Sequence, residues 1–178
     1  MNFKSKSVLF LCLPLISVGV SAADFNLSSQ DVKEGENIQV KFLANDFGCR
    51  GDNLQPTLSW SNPPAGTKSY AITFYDKDAD TGSGFWHWIA INIPQNVNML
   101  VGSNSPSGMV VKANDTGKKQ YLGPCPPVGE VHTYSYTVHA LDTDKLEAPA
   151  DTTAPLTGYF INKHTISKAS LNLRVSRS

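Results

Sequence analysis

From residue 133 to 141 the chain alternates, with Tyr134, Tyr136, Val138 and Ala140 falling together on one face. A period of two is that of an extended strand with one buried face, and it does not suit a helix. Leu171, Leu173 and Val175 repeat the pattern near the C-terminus. Strand patterns over residues 38–43, 70–75, 87–93, 133–141 and 170–175 are separated by clusters of Gly, Pro and Asn. With 178 residues, 40% of them hydrophobic, 13 glycines and 11 prolines, the chain fits one domain of short strands joined by long connections. The expected fold is mostly β, a sandwich of two sheets, with one or two short helices near the C-terminus. One helix is expected over residues 154–162, with Thr153 as N-cap, Pro155 in the first turn, and Leu156, Tyr159 and Phe160 as its apolar side.

The N-terminus reads differently. Lys4 and Lys6 precede an apolar run over residues 8–20, and Ser21, Ala22 and Ala23 supply small residues for cleavage. This predicts a signal peptide over residues 1–23, cut after Ala22 or Ala23, a single domain over 24–178, and delivery to the periplasm or the medium. The run is short for a bilayer span and no other long apolar run follows, so no transmembrane segment is expected in the mature chain. Cys12 follows the bulky Leu11 where a lipoprotein signal places a small residue, which argues against lipid anchoring.

Removing the signal leaves 13 basic against 15 acidic side chains, a net charge of about −2. A near-neutral chain without a Lys/Arg block is a poor partner for nucleic acid or an anionic membrane surface, so any bound anion must be small and held locally. Two cysteines remain, Cys49 and Cys125, and an oxidising destination predicts that they pair.

Four polar clusters stand where strand patterns begin or end: Asp76-Lys-Asp78, Trp86-His-Trp88, Gly123-Pro-Cys-Pro-Pro127 and His132-Thr-Tyr134. If residues 70–75 and 87–93 form an antiparallel pair, Asp76, Asp78 and His87 gather at one rim of the sheet. A third strand entering from that edge adds His132 and Tyr134, two apart and therefore on one face.

These residues, with Pro56-Thr-Leu-Ser-Trp60 and Pro64-Ala-Gly-Thr-Lys-Ser-Tyr70 in order ahead of them, resemble the phosphatidylethanolamine-binding protein (PEBP) family. More narrowly, the chain is similar to its bacterial Raf-kinase-inhibitor-like branch, in an exported form. The resemblance covers nearly the whole mature chain. It implies a two-sheet sandwich with a small pocket for phosphate-like anions and phosphorylated head groups, lined by Asp76, Asp78, His87, Pro126, Pro127, His132 and Tyr134, with Gly123 in the adjoining loop. Two positions depart from the family pattern: Lys77 and Asp80 stand where prolines are usual, which implies a less rigid loop. The last strand pattern ends without the C-terminal helix of the animal members, which implies a more open site.

The chemistry of the residues agrees. Imidazole, phenol and backbone N–H groups can ring a small oxyanion with donors, and both histidines are able to donate. An aspartate would repel phosphate, so Asp76 or Asp78 is expected to orient a histidine and favour its charged form. Gly123 would allow close backbone approach and the prolines would stiffen the rim. Trp86 is assigned to a pocket wall and Trp88 to the core. The competing reading of the two aspartates is that they cap turns. His139 and His164 are read as structural or surface residues. No metal-ligand spacing is present, so neither metal nor cofactor is expected. The first functional reading is a non-catalytic binding module for a small anionic or phosphorylated ligand. The second is a protein-interaction module acting on a protease or another host or envelope protein, and the third a phosphoester hydrolase, for which no nucleophile motif stands. Nothing in the sequence chooses between monomer and dimer.

Overall fold

The computed structural model describes residues 23–177, so the expected signal peptide lies, Ala23 apart, outside the described residues. The strands are β1 (Asn26–Ser28), β2 (Leu58–Ser61), β3 (Ser69–Asp76), β4 (Phe85–Pro94), β5 (Met99–Leu100), β6 (Val110–Lys112), β7 (Val131–Leu141) and β8 (Thr165–Ser176), with helix α1 (Ala154–His164) between the last two. All pairings are antiparallel and form two sheets, one ordered β1-β2-β5 and one ordered β6-β4-β3-β7-β8. The expected two-sheet, mostly β architecture is the one found.

Strand β3 is central in the larger sheet and is covered on both faces, which explains its nearly continuous apolar sequence. Tyr70, Ile72 and Phe74 join Leu58, Trp60 and Leu100 of the smaller sheet in the main core. On the other face Ala71 meets Ile89, Ile91 and Ile161 beneath α1. Burying these side chains stabilises the fold by about 1.5–3 kcal/mol for each large one.

Four of the five predicted strands lie within β3, β4, β7 and β8. The segment over residues 38–43 is the exception: Val40–Phe42 is one turn of 3₁₀ helix. Phe42 is buried, but Val40 is exposed and Lys41 spends its carbonyl on the N–H groups of Asp52 and Leu54. A loop closing back on itself replaces the expected strand ladder. The short strands β1, β2, β5 and β6 carried too few residues to show a period.

Helix α1 begins where predicted, with the Thr153 hydroxyl accepting from the Leu156 N–H. Its buried side is Ala154, Thr157, Gly158 and Ile161, whereas Leu156 and Tyr159 are exposed, contrary to the predicted apolar face. Gly158 is the reason. A Cβ there would lie 2.8 Å from Trp86 Cη2, so the helix docks through its smallest residue onto the indole.

The same indole corrects a second expectation. Trp88 pairs with Phe74 but Trp86 pairs with Tyr75, so β4 carries one extra residue, a β-bulge at His87. The bulge breaks alternation, and the neighbours His87 and Trp88 both face the main core, where they meet Phe74 and Tyr121. Trp86 turns to the opposite face against Tyr75 and α1, away from the cavity that His87 lines.

Cys49 and Cys125 are bonded across a sequence separation of 76, with Cα atoms 5.9 Å apart. The link joins two long loops that backbone bonds also stitch: the Ala44 N–H donates to Pro124 O, and the Gly123 N–H to Asn53 Oδ1. Opening so large a loop should cost about 4 kcal/mol by chain entropy. The double variant Cys49→Ala, Cys125→Ala is therefore expected to unfold at a markedly lower urea concentration, and an unchanged midpoint would contradict this.

Candidate functional site

Antiparallel register brings the polar clusters together. Asp76, the last residue of β3, pairs with Phe85 on one side and Tyr134 on the other, so the end of β3 meets the starts of β4 and β7 at one sheet edge. A cavity of about 390 Å³ opens there. Asp76, His87, His132, Tyr134, Pro126 and Pro127 line it, all from the predicted set. Asp78, Gly123 and Trp86 do not.

Asp76 is 3% exposed and must satisfy its carboxylate inside the protein. Its Oδ2 lies 2.7 Å from His132 Nδ1, and its Oδ1 accepts from the Asp78 N–H at 2.9 Å. Asp76 thus fixes the tautomer and direction of His132. Asp78 does something else: its Oδ2 accepts from the Thr133 N–H at 2.6 Å, tying the loop after β3 to β7 as a turn-capping carboxylate does. That backbone bond holds the Asp78 carboxyl below its ordinary value.

The two histidines differ. Burial alone would pull His132 below the usual imidazole value, but the hydrogen bonds and charges of Asp76 and Glu130 outweigh it and raise the ring above that value. Burial takes His87 down to about 4, more than nearby Asp76 and the backbone of Leu122 and Gly123 restore. Its Nδ1–H donates to Leu122 O at 3.2 Å, so the neutral ring offers an acceptor at Nε2 rather than a second cation. The expectation that both rings can donate into the cavity does not suit a neutral His87, whose one N–H is already used. Burial first, then the Asp76 carboxylate, push the Tyr134 phenol up, so it stays protonated and able to donate.

Gly123 serves the scaffold. A Cβ would stand 2.4 Å from Phe42 O, so only glycine lets this loop cross the chain at residues 42–44. His139 and His164 lie outside the cavity, the first buried beside Thr165 and the second paired with Asp142.

Several wall residues lay outside the predicted set, Phe47, Asp80 and Leu122 among them. Arg177 lines the cavity, with Nη1 3.1 and 3.3 Å from the two disulfide sulfurs, because β8 pairs Val175 with His132 and carries the chain past the site. Only the register reveals it. Phe85, two residues before His87 on the same face, adds a wall 4.8 Å from that ring. Glu130 lies 3.0 Å from His132 Nε2, and its place two residues earlier was a readable signal of a shared face.

Comparison with known proteins agrees with this fold. The family profile described as phosphatidylethanolamine-binding protein matches residues 28–176. YbcL of Escherichia coli is 40% identical over 167 residues, covering 89% of this chain and 91% of the relative. YbhB of the same organism is 38% identical over 156 residues, covering 84% and 99%. The crystal structure of E. coli YbcL, described as a new member of the mammalian PEBP family, superposes with a TM-score of 0.84 at 38% identity, covering 88% of this chain and all of that one.

The site's protonation is testable. His132 should titrate above the ordinary 6.5 by NMR, while His87 and His139, each held near 4 chiefly by burial, stay neutral down to about pH 5. The unfolded chain protonates those two rings below about 6.5, so stability should fall as pH drops from there toward 4, by about 3 kcal/mol per ring. The His132 contribution runs oppositely: it is complete below about 6.5 and lost as pH rises through its raised folded value. Midpoints near 6.5 for all three rings would contradict this assignment.

Proposed function

Because the chain belongs to the phosphatidylethanolamine-binding protein family, we propose that it is an exported binding protein whose cavity holds a small oxyanion. The oxyanion is free phosphate or the phosphate of a phosphorylated small ligand, and it is bound without turnover. The observation that carries this reading is His132, a buried imidazole aimed by Asp76 at the wall of a cavity of about 390 Å³, where the carboxylates of Asp76 and Glu130 favour its charged form. The Arg177 guanidinium on the same wall adds a second fixed positive charge. The Tyr134 hydroxyl adds a neutral donor, and the His87 acceptor suits an O–H on a protonated phosphate oxygen.

The absence of turnover rests on the lining. Among the described residues it includes no serine, threonine or lysine, and its one cysteine is bonded to Cys49. An imidazole anchored at Nδ1 can still act as a base through Nε2, as His87 could, but the wall gives neither ring a serine, threonine, lysine or free thiol to activate. Export is supported by the Cys49–Cys125 disulfide, a bond that oxidising compartments maintain, together with the N-terminal sequence.

A second reading, a protein partner such as a protease, draws on one observation. Phe47, Val128 and Val131 are large, more than half exposed, and stand in or beside the segments that line the cavity. Inhibition of a protease that persists in His132→Ala would favour it.

Calorimetry with phosphate, phosphoethanolamine and sulfate tests the first reading. Losing a charge-assisted hydrogen bond should weaken binding by about tenfold or more in His132→Ala, while His132→Gln, which retains a donor toward Asp76, controls for folding. Sulfate has no proton of its own to lose near neutrality, so its affinity should fall as pH rises through the His132 value. Equal affinity in wild type and His132→Ala, or a sulfate affinity flat from pH 6 to 9, would sink the reading. Turnover of a chromogenic phosphoester that disappears in His132→Ala would replace it with hydrolysis.

A further inference from the structure

Both ring nitrogens of His132 are already engaged. Nδ1 lies 2.7 Å from Asp76 Oδ2 and Nε2 lies 3.0 Å from Glu130 Oε2. Any ligand that hydrogen-bonds this ring must take over one of those positions, and the two carboxylates are not equally replaceable. Asp76 is almost wholly buried, and its other oxygen is tied to the Asp78 N–H. The Glu130 side chain is 59% exposed, and the bond to His132 is the one its carboxylate makes among the described residues.

The backbone around Glu130 is fixed while its side chain is not. The Glu130 N–H donates to Pro127 O, closing a turn in which Gly129 takes φ +85°, and the Gly129 N–H donates to Arg177 O. Glu130 directly precedes β7 and stands two residues before His132, so the strand period brings its carboxylate over the ring. A change of side-chain rotamer releases it into water without moving the turn. The released carboxylate is readily solvated, and His132 keeps its bond to Asp76, so a pair exposed on its Glu130 side separates at modest cost.

We infer that Glu130 is an internal competitor for His132, holding the outer nitrogen of the ring until an incoming oxyanion displaces it. This rests on the reading of the cavity as an oxyanion receptor and adds a determinant of its affinity and selectivity. Exchange of one anion for another keeps the charge on His132 balanced, so the imidazolium stays paired in both states. The displaced carboxylate remains nearby and repels a dianion more than a monoanion, which tilts the site toward singly charged oxyanions.

The test uses the mature protein and the variants Glu130→Gln and Glu130→Ala, whose changed side chain is exposed and outside the core. NMR titration of His132 reads the contact itself: its midpoint should fall in both variants, since each removes a carboxylate from the ring. Calorimetry at pH 6 reads the competition: Glu130→Ala should bind inorganic phosphate about three- to fivefold more tightly than wild type, with a larger gain for dianionic sulfate than for monoanionic dimethyl phosphate. An unchanged His132 midpoint would overturn the inference by removing the contact. A lowered midpoint with equal or weaker phosphate binding in Glu130→Ala would overturn it too, making Glu130 a bystander or a ligand anchor. If the midpoint falls and no form of the protein, wild type included, binds phosphate, the oxyanion reading has failed and this inference with it. The intact titration result would mark that as the cause.

Discussion

A carboxylate with almost no access to water, at the end of the central strand, is the constraint on which the rest of the site depends. Leaving Asp76 without donors would cost several kcal/mol, enough to consume much of a domain's stability. It is satisfied from two directions, by the Asp78 N–H within its own turn and by His132 across the sheet. The second bond forms only if β3 and β7 hold their register, because a slip of one residue would turn His132 to the other face. The folded register and the functional geometry are thus one condition. Breaking the pair from either side strands a buried charge or frees a buried imidazole.

The cavity's other half is held by a different means. The loops over residues 43–54 and 122–127 belong to no sheet, and long irregular segments gain little from packing. Here a disulfide, the Ala44 to Pro124 backbone bond and both ends of the Asn53 amide fasten one loop to the other. Arg177 closes the arrangement by donating to Phe47 O and lying against both sulfurs. Pro126 and Pro127 limit the freedom of the remaining wall. A binding site made from loops needs such fastening, since a ligand that had first to order them would lose affinity to the ordering entropy.

The parts legible in the sequence were those governed by local periodicity. Tyr134, Tyr136, Val138 and Ala140 announced β7, and the spacing of Asp76, His87 and His132 around turn-rich loops was enough to gather them at one edge. What was not legible depended on irregularity or on distant partners. The bulge at His87 moved Trp86 to the helix face, and no local signal distinguishes a bulged strand from a regular one. Residues 38–43 look like a strand by composition but find no neighbour at the right distance, so tertiary context overrides propensity. Arg177 was hidden because its place follows from the β7–β8 register. Glu130 was open to inference by the same two-residue rule that joined His132 to Tyr134.

Two imidazoles flank one phenol, with ring centroids 5.2 and 6.3 Å from that of Tyr134, yet their proton affinities are shifted in opposite directions, His132 up and His87 down. Like charges so close in a partly dry cavity repel strongly, so at most one ring is charged cheaply. Partners decide which. His132 faces two carboxylates, each of which stabilises an imidazolium, whereas His87 faces a carbonyl, which is satisfied by the N–H of a neutral ring. The asymmetry comes from the direction of the side chains: the Asp76 carboxylate at the end of β3 and that of Glu130 before β7 both bond His132, while the Nδ1 of His87 turns to the Leu122 carbonyl. Its result is a cavity in which one ring favours the imidazolium and the other the neutral form, so that the two sides of Tyr134 differ in what they offer: N–H donors of a cation on the His132 side and a neutral acceptor on the His87 side.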